Sequence, residues 1–368
     1  MAKSHTIIGA GILGASTAYH LTKRGEKVTL IDRLDYGQAT DAAAGIVCPW
    51  LTQRRNKAWY KLAKEGAKYY PTLIQELEEQ GETNTGYSRV GAISLHTDEK
   101  KLEKMMERAL KRREEAPEIG EITLLPPNET NKIFPVLSRD YSSVHVSGGA
   151  RVNGRGVRNA LVRAAVKNGA TFIKGDAKLV FEETSVIGAS VNGQVYESDQ
   201  VIVTAGAWAS KLLKPLNLNF EIKPQKAQII HLLLNGVDTS NWPVVMPPNN
   251  QYILSFGEGR VVIGATHEDD QGFDNRITAG GVHEILDKAL SVAPGLSNAS
   301  IEEVRVGFRP VAPNFLPVFG TIPQYKGLIV ANGLGASGLT TGPFLGSELA
   351  KLACYESTEL NIDDYSIS

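Results

Sequence analysis

Three groups of residues in this chain have the types and spacing to do chemistry. The first is Gly9-Ala10-Gly11-Ile12-Leu13-Gly14, which follows a short apolar run from His5 to Ile8 and opens a helix-like stretch to about Arg24. Gly9 permits a tight turn, Gly11 lets bare backbone approach a pyrophosphate, and Gly14 lets the helix pack closely on the strand. The helix start adds free N–H groups and the positive end of its dipole. Gly25 stops the helix, and Val28 to Asp32 forms a second strand ending in an acid 18 residues after Gly14, suited to ribose hydroxyls. Strand, glycine turn, helix, strand and acid together predict a dinucleotide site. The second group is Arg309 in Gly307-Phe308-Arg309-Pro310. Its five-donor fork matches a carboxylate bidentately and keeps its charge. An arginine here would equally serve to bridge two domains, and the residues alone leave both roles open. The third is the glycine-rich run Gly333-Leu334-Gly335-Ala336-Ser337-Gly338-Leu339-Thr340-Thr341-Gly342. A helix predicted from Pro343 to about Cys354 follows it, with proline at the tolerant first position.

Composition excludes several classes. A length of 368 residues predicts about two domains, and 42% hydrophobic with 21% charged residues is typical of a globular chain with a real core. A net charge of −1 offers no field for nucleic acid or an anionic membrane. The seven histidines have no metal-ligand spacing, and Cys48 and Cys354 stand far apart, so neither a disulfide framework nor a metal site is expected. No apolar run reaches membrane-spanning length and no signal peptide fits ahead of the first strand, so a cytoplasmic location is expected.

The elements that must position these groups follow from periodicity. Gln38 to Val47 is a small-residue loop in which Thr40 and Asp41 can cap a short helix. Lys57 to Gln80 is an amphipathic helix, bent at Pro71. Val90 to His96 reads as a strand, and Asp98 caps a helix running to about Glu115 whose charges alternate in sign. The segment around Pro126-Pro127 and Pro135 reads as a connection. Ser143 to Val152 reads as a strand, followed by a helix over 154–168. Gln200 to Val203 is a buried strand ending on Thr204-Ala205-Gly206-Ala207-Trp208, a second nucleotide-facing crossing of the same parallel sheet. Strands dominate from Phe220 to Phe308, with one helix over 283–293, and predict a separate substrate domain. Gly327 to Asn332 then reads as a strand returning to the first domain.

The glycine turn, the Thr204–Trp208 strand end, Gly307-Phe308-Arg309-Pro310 and the C-terminal glycine-rich segment, in this order over nearly the whole chain, resemble the FAD-dependent amine oxidoreductases. That superfamily includes D-amino acid oxidase, glycine oxidase and sarcosine oxidase. The closest likeness is to glycine oxidase, through Ala42-Ala43-Ala44-Gly45, Val261-Val262-Ile263-Gly264-Ala265-Thr266 and Arg309-Pro310. The resemblance implies an α/β fold: a discontinuous Rossmann-like FAD domain of the GR2 type (1–86, 145–218 and 309–368) plus a substrate domain with a mixed or antiparallel sheet (87–144 and 219–308). It implies oxidation of the C–N bond of an amino acid or N-alkyl amino acid, with hydride transfer from Cα to flavin N5 and hydrolysis of the imine. No protein catalytic base is strictly required.

Carried across, the resemblance places Gly9, Gly11, Ile12, Leu13 and Gly14 at the pyrophosphate and Asp32 and Arg33 at the adenosine. Thr40, Ala44, Gly45 and Ile46 lie along the cofactor, as do Lys178, Ala205, Gly206 and Trp208. Leu334, Gly335, Ala336, Ser337, Gly338, Leu339 and Thr340 run beside the flavin ring. A helix N-terminus there would stabilise the negative charge of the reduced ring by ~0.3–2 kcal/mol. Arg309 becomes the carboxylate-binding residue and Tyr252 a pocket-lining one, though an edge-strand aromatic would look the same. His267 becomes pocket-facing and able to accept a substrate proton; a surface or core histidine fits the residues equally. Three departures stand out. A second arginine of glycine oxidase corresponds to Ala336, an oxygen-activating lysine of sarcosine oxidase to Val262, and no cysteine stands just after the arginine region to link a flavin. FAD is therefore expected to be non-covalent, the substrate is not confined to glycine, and the electron acceptor is oxygen or another oxidant. A nicotinamide-dependent dehydrogenase and a non-catalytic flavin- or dinucleotide-binding regulatory subunit are the rival readings.

Overall fold

The computed structural model describes residues 2–218 and 220–366; the segment limits expected at 1, 219 and 368 lie outside them. Two large sheets carry the architecture. The first has six strands in the order Val318–Thr321, Leu328–Asn332, Gln200–Val203, Ser4–Ile8, Lys27–Asp32, Thr171–Lys174. All neighbours are parallel except the Val318–Thr321 edge. Register places Ile8 opposite both Val203 and Ile31, and Val203 opposite Val330. The chain leaves three neighbouring strands at Gly9, Thr204 and Gly333 along one edge, which is where open parallel sheets present ligands.

The first helix, Ile12–Lys23, is buried along nearly its whole length. It packs between the Gly154–Lys167 and Gly338–Ala353 helices, and the latter also meets Lys57–Glu79. Gly25 ends the first helix with φ +78°, Glu26 N–H returns to the Leu21 carbonyl and Arg24 Nη1 donates to the His20 carbonyl, which closes the last turn.

The second sheet has eight strands: Ser300–Val311, Lys223–Leu233, Arg260–Gly264, Tyr252–Ser255, Val244–Met246, Ala92–His96, Ser142–Val146, Ile122–Leu125. Only the Val244–Met246 and Ala92–His96 pair is parallel. Alternation divides its faces. Ile230, Leu232, Ile253, Val261 and Ile263 pack under the Ala279–Val292 helix, while Ala227, Ile229 and Val262 face the core shared with the first sheet. A three-stranded antiparallel meander over 177–197 completes the α/β fold. Among the described residues no helix is long and apolar enough to cross a membrane.

Four local expectations need correction. The C-terminal helix begins at Gly338, not Pro343. Proline is accommodated inside it because the carbonyl its missing N–H would have engaged, Leu339 O, instead accepts from Tyr70 Oη at 2.5 Å. The helix over 127–133 was expected to be a connection; Pro127 opens it, where a missing N–H costs nothing. Thr40 and Asp41 sit inside the Ala39–Ala42 turn rather than capping it. Thr40 Oγ1 accepts from Ile12 N–H at 3.0 Å, and Asp41 pairs with Arg158 at 2.8 Å. The strand expected over 143–152 divides into Ser142–Val146 and Ala150–Arg151 around Gly148-Gly149.

Candidate active site

One cavity of about 900 Å³ runs from the carboxyl edge of the parallel sheet to the inner face of the eight-stranded sheet. It is lined by every site residue expected from sequence except Gly14. Gly14 lies behind the turn, where a Cβ would come within 1.8 Å of the Gly9 carbonyl. Gly9 has φ +105° and donates its N–H to Ile31 O at 2.8 Å; a Cβ there would meet Thr204 O at 2.5 Å. Gly11 is different in kind. Its nearest would-be contact is Thr40 Oγ1 at 3.5 Å, ordinary van der Waals distance. Packing alone would accept an alanine, so what the glycine preserves is bare backbone facing the cavity. The first helix has no side-chain cap and no acid in its first turn, leaving its positive end for an anion.

Asp32 lines the same end, 6% exposed. Its carboxylate accepts from Ala10 N–H at 2.6 Å, Leu34 N–H at 2.6 Å and Gln38 Nε2 at 2.7 Å, which fixes its orientation. Arg33 pairs with Asp35 and with Asp176, and its guanidinium lies 5.6 Å from the Trp208 ring. Trp208 stacks on Phe273 at 5.0 Å. Thr204 Oγ1 donates to Gly9 O at 2.9 Å, and Asn332 Nδ2 to Gly206 O at 2.9 Å, tying the three strand ends together. Lys178 reaches the cavity from the meander.

In the middle of the cavity, Gly335–Ser337 forms a single tight turn before the Gly338–Ala353 helix. Ser337 Oγ accepts from Trp59 Nε1 at 3.0 Å, and Thr340 Oγ1 donates to Ile46 O at 2.9 Å. The start of this helix, like that of the first, has no side-chain cap and no acid in its first turn. Ala336 lines the wall here, and Val262 is buried in the core with Ala227 and Ile229.

Arg309 marks the far end. Antiparallel register sets it opposite Gln225. Its Nη1 donates to Gln225 Oε1 at 3.1 Å and to Thr266 O at 3.3 Å, while Gln225 Nε2 donates to Asp269 at 2.9 Å. Among the described residues no carboxylate forms an ion pair with Arg309. Burial pulls its pKa down, with the Tyr252 hydroxyl acting in the opposite sense. Tyr252 is pushed up to about 12 by burial, against the pull of the Arg309 charge. His267, exposed at the rim, is held below its ordinary value by partial burial and then by Arg309, and is therefore neutral near pH 7.

Gln225 was missed from sequence. The available signal was polar residues in a strand otherwise apolar, Gln225, Lys226 and Gln228, all buried. Lys226 lies 3.2 Å from Asp274 and 3.8 Å from Glu268, whose carboxylate also accepts from Gln228 and Thr266. That network fixes the 265–278 loop, and with it the rim carrying His267. Asn250 and Met246 also line this end and carried no sequence signal.

Residues 5–352 match the family of FAD dependent oxidoreductases. The chain is 62% identical to the Bacillus subtilis oxidoreductase YurR, over 99% of this chain and 98% of that protein. The crystal structure of iminodiacetate oxidase from Chelativorans sp. superposes with a TM-score of 0.96 at 47% identity, covering 98% of each chain. Glycine oxidase from Geobacillus kaustophilus is 26% identical over 98% of this chain and 96% of that protein. With the parallel sheet, the glycine turn and the family match in agreement, the chain belongs to the FAD-dependent oxidoreductases.

Proposed function

We propose that this enzyme oxidises the C–N bond of an amino acid or N-alkyl amino acid whose carboxylate rests on Arg309. The observation that carries the reading is Arg309 itself: a guanidinium in the cavity wall, fixed by Gln225 and Thr266 and without an ion-paired acid. A guanidinium held this way keeps its remaining donors for a carboxylate in the cavity. The residues present also suit FAD. Gly11 leaves bare backbone beside an uncapped helix start for the pyrophosphate, Asp32 and Arg33 lie where the adenosine half would fall, and residues 334–340 present a second uncapped helix start toward the ring. No cysteine stands just after the Arg309 region, which favours non-covalent binding. When bound, FAD supplies a two-electron acceptor that takes a hydride from the substrate Cα at N5.

The chain's own contribution is orientation and electrostatics. Arg309 anchors the carboxylate, Tyr252 closes one side of it, and neutral His267 at the rim can accept the ammonium proton as substrate enters. A neutral amine can then push electrons toward Cα as the hydride leaves, and the resulting imine hydrolyses in water to a carbonyl compound and an amine. N-carboxymethyl amino acids head the list of substrates to test, because iminodiacetate oxidase is similar over 98% of the chain.

The test is an anaerobic screen of flavin bleaching by amino acids and N-alkyl amino acids, followed by oxygen and dye acceptors. Arg309→Ala should lose about 10²–10³ in kcat/KM on the best substrate through loss of a partly dry ionic contact. Near-normal kinetics in that variant would remove Arg309 from the substrate site. Bleaching by NADH alone, with no amine active, would favour a nicotinamide-linked reaction.

A further inference from the structure

A second concavity, of about 810 Å³, lies on the outer side of the segment that walls the main cavity. Cys48, Pro49, Thr52 and Trp59 face the main cavity, while residues 53–57 border the outer cleft. Arg54, Arg55 and Lys57 enter it from this segment, Lys61 and Lys64 from the first turns of the Lys57–Glu79 helix, and Arg108 and Arg112 from the facing Glu99–Arg113 helix. Glu115 is the one acid in its lining, and Glu118 lies within Coulomb reach of Tyr60. This concentration is abnormal for a chain whose net charge is −1.

The cations are only partly spoken for. Arg112 Nη1 donates to the Trp50 and Thr52 carbonyls, and Arg54 donates to Phe315 O. Lys64 meets Glu65 at 3.4 Å. Arg108 has no ion pair or hydrogen bond among the described residues, and its Nε and Nη2 are sealed from solvent without a partner. The Tyr60 hydroxyl, also in the cleft lining, is buried and unpartnered as well. Unpaired buried donors cost stability, charged ones most, and each in a native protein calls for an explanation. An incoming anion supplies the partner that Arg108 lacks.

We infer that this cleft is a second binding site, for a small multivalent oxyanion bearing phosphate or several carboxylate groups. Seven cations against one acid in the lining suit an anion. Arg112 ties the cleft to the Trp50 and Thr52 backbone, so an occupant would touch the segment whose other side faces the active-site cavity.

The test uses FAD-loaded enzyme, so that the pyrophosphate subsite of the main cavity is filled. Titration calorimetry with pyrophosphate and, separately, citrate at constant ionic strength should give saturable binding of one ion per chain. Preference for pyrophosphate identifies a phosphorylated ligand, and preference for citrate a polycarboxylate; both support the site. Arg108→Gln should weaken binding about tenfold or more, as expected for loss of one charged donor. The solvent-exposed pair Arg55→Gln/Lys57→Gln should do the same, and keeps the test decisive if the Arg108 variant fails to fold. Absence of saturable binding at millimolar ion, or equal affinity in both variants, would overturn the proposal. So would binding seen only before FAD is loaded.

Discussion

Arg309 illustrates how a side chain acquires a direction. A guanidinium on a strand can point to either face, and the antiparallel register with Gln225 selects one. The bond to Gln225 Oε1 then holds one nitrogen, while Gln225 is itself held by Asp269. Replacing Gln225 with leucine should leave Arg309 charged but less fixed. The expected result is a KM for the amino acid raised roughly tenfold with a smaller change in kcat, the pattern for lost ground-state binding. Steady-state kinetics beside wild type would check this, and an unchanged KM would argue that Thr266 O alone suffices. Gln225 stood out only as a polar residue in an apolar strand, and its pairing was not legible in sequence, because a cross-strand partner 84 positions away depends on register, and register is a property of two strands. Arg309 was legible as chemistry through its donors, but its choice between bridging and binding depends on neighbours that only folding brings near.

At the scale of elements, the N-terminal turn was readable because each glycine answers a local demand. The C-terminal helix start was not, since Pro343 looks like a first-turn residue and the compensating group, Tyr70, comes from another helix. This compensation can be tested by a cycle. Tyr70→Phe leaves the Leu339 carbonyl buried and unpaired, and should cost about 1–3 kcal/mol in urea unfolding. In a Pro343→Ala background the restored amide N–H can serve the same carbonyl, so the added cost of Tyr70→Phe should shrink clearly. Equal costs in both backgrounds would mean that the tyrosine contributes packing alone. The Tyr70–Leu339 bond also sets where the helix start lies against the cavity, so the double variant should bind FAD with altered affinity.

At the scale of the whole molecule, two sheets with different periodicities meet over one cavity. The parallel sheet was legible as buried runs followed by helices, and the antiparallel one as alternation. Their relative placement was not, because it is set by packing of residues far apart in sequence. Burial also gives the molecule an acid limit. His20, 5% exposed and 2.9 Å from Tyr69 Oη, has its pKa pushed down to about 3 by burial, helped by Lys23, Arg24 and Lys351. His231 is pushed down to about 4 by burial and Arg305. In both, the unfolded chain binds the proton more readily, so stability is lost as pH falls below the unfolded value of 6.5 and toward the folded ones. Each group contributes a slope of at most about 1.4 kcal/mol per pH unit in that window. Urea unfolding at pH 7 and pH 4.5 should show lower stability at the acid end, and His20→Gln should flatten the difference. A profile identical to wild type would mean that other groups dominate.

The two-faced strand Lys223–Leu233 separates two kinds of inheritance. Ala227 and Ile229 look into the cavity, while Ile230 and Leu232 lie under the Ala279–Val292 helix. Demands for substrate fit and for a stable fold therefore fall on interleaved residues of one element. A lineage can exchange the cavity-facing set while the other set stays fixed, so new amine preferences can arise without first weakening the scaffold that holds the flavin.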